Sequence, residues 1–222
     1  YDTASNIKRV DVPIKLYNVT IYNHSDSPDP FSPNADGQYD STTITASITT
    51  SCNWTINIKD STGALKRTFT GTSATISRVW NGRDETANVV SDGTYTYTID
   101  ATDPATGANA PQVSGAIKVD NTLPTASITL PLADATLSGT VAVKGLADDT
   151  NFSYCYLYYG SGIAPINWVN IAASGRLLPD ADGNPPTIYN WNTTSRPNGD
   201  YVLRLDVYDT ASNIKRVDVP IK

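Results

Sequence analysis

Residues 91–99 read Ser91-Asp92-Gly93-Thr94-Tyr95-Thr96-Tyr97-Thr98-Ile99. A turn signal is followed by strict alternation of hydroxyl side chains with aromatic or aliphatic ones. Period two is the pattern of a strand with one buried and one wet face, and an Asp-Gly pair suits the tight turn that opens it. The same grammar extends outward. Alternating runs occur at Thr43–Ile48 and Trp54–Ile58, and turn residues cluster at 34–37, 61–63 and 81–82. Short strands at this spacing predict an all-β sandwich or barrel. No stretch holds a 3.6-residue apolar period in good helix formers, so helices are not expected.

The chain has 222 residues, room for two domains of about 100 residues each. Tyr (13) far outnumbers Phe (3), and with abundant Thr this suits half-exposed sheet faces. A net charge of −6 argues against a phosphate backbone as partner, so nucleic acid is not expected. No apolar run approaches the roughly 20 residues of a membrane span. With no methionine, no secretory leader pattern and Tyr1 at its start, the chain reads as an internal fragment.

A repeat is the strongest organisational signal. YDTASNIKRVDVPIK stands at 1–15 and again at 208–222, identical throughout. The offset, 208 − 1 = 207 residues, is two domains long, so the array is a string of globular beads. The expected division is 1–15 as the last strand of a preceding repeat, then 16–119, then 120–222. Within the duplicated piece Val10, Val12 and Ile14 alternate with polar residues, as do Val217, Val219 and Ile221. A strand without its parent sheet seeks an unpaired edge, so these six residues are candidates for strand exchange between molecules.

The stretches DPFSPNADGQYDSTTI (29–44), INIKDSTGALKRTFTG (56–71) and VWNGRDETANVVSDGTYTYTIDATD (79–103) resemble the immunoglobulin-like domain of flagellar hook-capping proteins. The resemblance covers roughly residues 28–119. Residues 124–162 and 191–222 are similar to bacterial immunoglobulin-like repeats of large surface and adhesive proteins, with Asn198-Gly199-Asp200 in place of their usual Asp-Gly turn. Together they imply two tandem immunoglobulin-like β-sandwiches in an extracellular, assembly-associated setting, without catalysis.

Two oxygen-rich sets are candidates for calcium, which takes six to eight oxygen ligands. One is Asn34, Asp36 and Asp40 around Gly37, whose alternative role is an Asx turn. The other is Asp120, Asn121, Asp148, Asp149 and Asp209, which resemble the acidic residues of ion-stiffened joints between tandem domains. Tyr154, Tyr156 and Tyr158, with Trp168 or Trp191, form a candidate aromatic strip for glycan or a partner protein, or else cross-strand packing. Trp54 and Trp80 are expected in the core.

Cys52 and Cys155 lack the spacing of a zinc site and fall one in each expected domain; buried free thiols are the expectation, with a bridge between them left open. Sequons at Asn18, Asn23, Asn53, Asn151 and Asn192 are no more than an Asn- and Thr-rich chain supplies. The sole histidine, His24, is expected in a polar linker, and no nucleotide, metalloprotease or triad motif occurs. The expected role is a spacer, without cofactor, whose partners are neighbouring copies of the same repeat. An adhesin module and a strand-exchanged filament are the alternatives.

Overall fold

The computed structural model describes residues 18–222; Val10, Val12 and Ile14 lie outside this range. Twelve strands follow in chain order. They are β1 (Ile21–Ser27), β2 (Thr42–Lys59), β3 (Leu65–Trp80), β4 (Gly93–Thr102), β5 (Val113–Val119) and β6 (Thr125–Leu130). They continue with β7 (Thr140–Asp148), β8 (Phe152–Ser161), β9 (Val169–Ser174), β10 (Thr187–Asn192), β11 (Tyr201–Asp209) and β12 (Ile214–Ile221). The described residues hold no helix, and every strand pair is antiparallel. The molecule is all-β and built of immunoglobulin-like sandwiches.

Residues 21–119 form a sheet that folds over itself. The 18-residue β2 pairs with β1 through Thr43–Ile48 and with β4 through Asn53–Lys59, while β3 follows it along most of its length. Its register against β3 skips from Ser47 to Cys52. That irregularity lets the long β2–β3 hairpin bend and lie in both layers. The runs 43–48 and 54–58, read separately in the sequence, are thus one strand. The inward face of β2 alternates as expected, with Ile44, Ile56 and Ile58 fully buried. Trp80 is also fully buried, edge-on to Phe31 and Tyr95, and its Nε1–H donates to the Arg83 carbonyl. Trp54 is buried too, with its Nε1–H on Ser73. At the Asn81-Gly82 turn, φ is +63° and a Cβ would stand 2.4 Å from Pro33, so only glycine fits.

Residues 125–221 form two sheets, β10-β7-β6 and β12-β11-β8-β9. Val143, Leu157, Leu203 and Leu205 fill the space between them, so these seven strands share a core separate from that of residues 19–119. β12 pairs with β11 alone within its sheet. Its last turn is held from the other side, where Asp134 and Leu137 donate to the carbonyls of Pro220 and Lys222.

The chain traverses each half lengthwise. In the first, Val19 and the Thr49 region lie at one end, while Phe31, Gly93 and Val119 gather at the other. In the second, β11 runs from Tyr201, beside Ile221, to Asp209, beside Asn151 and Asn213. Nine extended residues make those ends about 26 Å apart.

Candidate functional site

The densest polar construction lies where the two halves meet. Asn213 is wholly buried at the turn after β11, and its backbone N–H donates to Asp209 at 2.8 Å. Its side-chain Nδ2 donates to the Asp120 carbonyl at 2.7 Å and to the Asp209 carboxylate at 2.8 Å. Its Oδ1 accepts from the buried Ser32 hydroxyl at 2.7 Å and from Asn34 at 3.0 Å. One side chain of the second half therefore grips two residues of the first and the connecting segment. Asn151 adds a bond to the Asp120 carboxylate, and the Lys118 ammonium reaches Asn151 Oδ1. Neither Asn213 nor Ser32 was among the residues singled out in the sequence; an Asn in a polar turn carries no mark of what will face it.

Around this network Asp120, Asp149 and Asp209 bring one carboxylate oxygen each within 4.8 Å of one another. Asp120 and Asp209 are 5% and 4% exposed, so the charges sit largely out of water. Burial raises the Asp209 pKa above the usual carboxylate range, and the Asp120 and Asp149 charges add to that. A cleft of about 290 Å³ opens on the cluster, with Asp92, Lys118 and Asn151 in its wall. Chemically this is a half-buried oxygen pocket with unbalanced negative charge.

Two other members of the expected set stand outside the carboxylate cluster, although Asn121 Oδ1 accepts from Ser32 at 3.3 Å. Asp148 pairs with Arg176 at 2.6 Å, and Asn121 donates its N–H and Nδ2 to Asp92. The side-chain oxygens of Asn34, Asp36 and Asp40 are likewise used within their own loop. Asp40 accepts from the N–H groups of Ala35 and Gly37, Asp36 from Gln38, and Asn34 from Asp36. The Asn34 and Asp36 bonds are Asx turns, and Asp40 closes the loop from its far end; within it Ala35 has φ +65° and Gly37 φ +88°.

β8 splits its tyrosines by face. Cys155, Leu157 and Tyr159 point into the core; Tyr154, Tyr156 and Tyr158 point outward. The outer rings form a ladder, Tyr154 stacked on Tyr208 at 4.6 Å and in contact with Tyr156 at 5.1 Å. Trp168 borders this face, with the Arg204 guanidinium 3.7 Å from its ring centre. Arg204 binds Asp218, and Arg216 binds Asp206, each through two bonds. The result is a flat aromatic surface whose charges satisfy one another. Trp191 is not part of it: it stacks inward on Tyr159 at 5.2 Å. A tryptophan whose neighbours come from distant strands cannot be assigned a face from its own local pattern.

Val219 and Ile221 are buried in the second core and Val217 packs against it, so β12 uses its apolar face fully. Both cysteines are buried free thiols; burial pushes Cys155 up to about 11 and raises Cys52. His24 lies in β1 with its ring edge toward Tyr97, not in a linker. The hydroxyl of Tyr97 is driven to about 12 by burial and by the nearby Asp26 charge.

Residues 25–119 match the CHU_C type IX secretion signal domain family, and the hook-capping resemblance finds no support in that match. No curated protein matches the chain. Among solved structures, a tetra-tandem repeat from the extending region of a large adhesion protein aligns at 18% identity and TM-score 0.37, covering 92% of this chain and 49% of its own. Latent dimeric PorU from Porphyromonas gingivalis aligns at 11% identity and TM-score 0.34, with 95% and 24% covered. Trypsin-activated alpha-2-macroglobulin from Escherichia coli aligns at 10% and TM-score 0.31, with 92% and 15% covered. The chain thus spans about half of the first of these proteins and less of the others. Residues 25–119 being similar to a type IX secretion signal domain, the protein is secreted and belongs at the cell surface.

Proposed function

We propose that residues 16–222 are one two-module repeat of an extracellular surface protein and act, without catalysis, as a semi-rigid spacer. The observation that carries this reading is the joint at Asn213. A chain that enters each half at one end and leaves at the other gains length from every copy, and the three bonds by which Asn213 holds Ser32, Asn34 and the Asp120 carbonyl limit bending between halves. Each added repeat then changes reach and needs no new site. Small-angle scattering from chains of one, two and four repeats tests it. The maximum dimension should grow in proportion to repeat number; compact particles would refute the reading.

Calcium fits the joint as a second locking element. Asp120, Asp149 and Asp209 supply charged oxygens from the connecting segment and from two turns of the second half, and a hard cation collecting them would relieve their repulsion. Asn34, Asp36 and Asp40 spend their oxygens on their own loop and suit the ion less well.

The outer tyrosine face of β8 favours a second role, that of an adhesin surface for glycan. Stacked, partly exposed rings offer the apolar platform on which sugar faces pack, with Trp168 at the border. A glycan array of the whole chain against Tyr156→Ala and Trp168→Ala variants tests this. Binding that survives both substitutions would dismiss it.

A further inference from the structure

At the end of the second half farthest from the Asn213 joint lies a cleft of about 500 Å³, walled by Leu137, Trp191, Arg196, Tyr201 and Lys222. Trp191 is 4% exposed, and its Nε1–H has no hydrogen-bond partner. A buried N–H left unpaired is costly, because water no longer satisfies it and no acceptor has replaced the water. The neighbouring rings do not pair it: Tyr159 meets Trp191 through its face, Arg196 lies 4.9 Å over Tyr159, and the Tyr201 hydroxyl, which donates to the Pro197 carbonyl, makes no bond to the indole N–H. Trp191 lines the cleft, so an oxygen acceptor docked there pairs this N–H once the wall shifts to uncover it.

The sequence says what stands next to it. Lys15 is the copy of Lys222, and Leu16-Tyr17-Asn18-Val19 follow it. Val19 is already buried in the core of the next sandwich. Four Cα steps of at most 3.8 Å span no more than about 15 Å. In a tandem array the next repeat is thus tethered directly over the cleft that Lys222 walls. The edge beside its Val19 is fixed by three bonds. Thr20 N–H donates to the Thr49 hydroxyl, the Thr49 hydroxyl to the Asn18 carbonyl, and Thr49 N–H to the Thr20 carbonyl. Thr49, Thr50 and Ser51 are exposed, and they lie where the β2–β3 register lapses. They offer hydroxyl and carbonyl acceptors.

We propose that the Trp191 cleft is the socket for the next repeat, and that the Thr49–Ser51 edge of that repeat accepts the Trp191 Nε1–H. The proposal rests on the tandem-spacer reading and adds the surface by which one repeat recognises the next. Identical copies make every such joint the same, so stiffness inside a repeat and stiffness between repeats have separate origins.

The test uses the full chain extended by a second copy of residues 16–222. Nuclear magnetic resonance of the indole N–H groups should give two Trp191 signals. The upstream one should be shifted, with hydrogen exchange slowed tenfold or more; the downstream one should match that of the single chain. Ser51→Glu, placed only in the downstream copy at an exposed position, should return the upstream signal to the single-chain value. Coincident Trp191 signals would overturn the socket. Distinct signals that ignore Ser51→Glu would overturn the assigned edge. Scattering from the same sample separates this from the spacer reading: an elongated particle with coincident signals fails the socket alone, and a compact one fails the spacer.

Discussion

Asn213 shows how much one side chain decides. It is fully buried with every polar atom paired, and those partners come from three segments that are distant in sequence. Asn213→Ala strands the Asp120 carbonyl and leaves the Ser32 hydroxyl only its longer bond to Asn121 at 3.3 Å, and each buried unpaired group costs about 1–3 kcal/mol. We expect a loss of about 2–4 kcal/mol by urea unfolding, with easier bending between the halves seen as a broader distance distribution between spin labels. The cysteines give a simpler expectation. Both are buried with raised pKa, Cys155 to about 11, so almost no thiolate exists at pH 8. A thiol reagent should leave the native chain unmodified and titrate both cysteines once it is unfolded.

At the scale of elements, the acidic turns and β12 carry the consequences. Asp209 has a raised pKa in the folded chain, so its charged form is disfavoured there. The sign follows: the folded state binds more protons above the ordinary carboxylate pKa, and stability falls as pH rises through that interval. In chelator, lowering the pH from neutral toward the ordinary carboxylate range should therefore raise the midpoint of thermal unfolding at this joint. Asp149→Asn, which keeps an acceptor for the Asn151 N–H, should raise the midpoint in chelator at pH 7 and reduce any rise produced by calcium. A calcium-induced rise of several degrees that persists in Asp149→Asn would exclude this cluster as the site. β12 is an edge strand in its sheet, and residues 1–15 repeat its sequence. If molecules exchange that strand, deleting residues 1–15 abolishes the polymers seen by analytical ultracentrifugation; polymers that persist rule exchange out.

For the whole molecule, what was legible in the sequence was whatever repeats along the chain at short range. Alternation in 94–99 marked β4 with its buried and wet faces, and the turns at Gly63, Gly82 and Gly93 each place a glycine at positive φ. Trp54 and Trp80 lie in the core as their surroundings suggested. The reading stopped where one strand serves two layers. The break between Ile48 and Trp54 looks like a turn in sequence, but β2 runs through it as a bulge. It also stopped at sites assembled from afar. Of the four aspartates expected at the joint, three converge, because Arg176 claims Asp148; Asn121 meets the joint through Ser32 and donates to Asp92.

The sequence by itself determined the all-β class, the identity of residues 1–15 with 208–222 and the outward tyrosine row of β8, since each rests on a pattern that a single chain displays. Only the tertiary structure decided that Asn213 clasps the two halves, that Asp120, Asp149 and Asp209 share one pocket, and that Trp191 turns inward with an unpaired N–H. Those features depend on which backbone groups and charges meet across sheets. That is fixed by register and by strand crossing, and neither leaves a local trace in the order of residues.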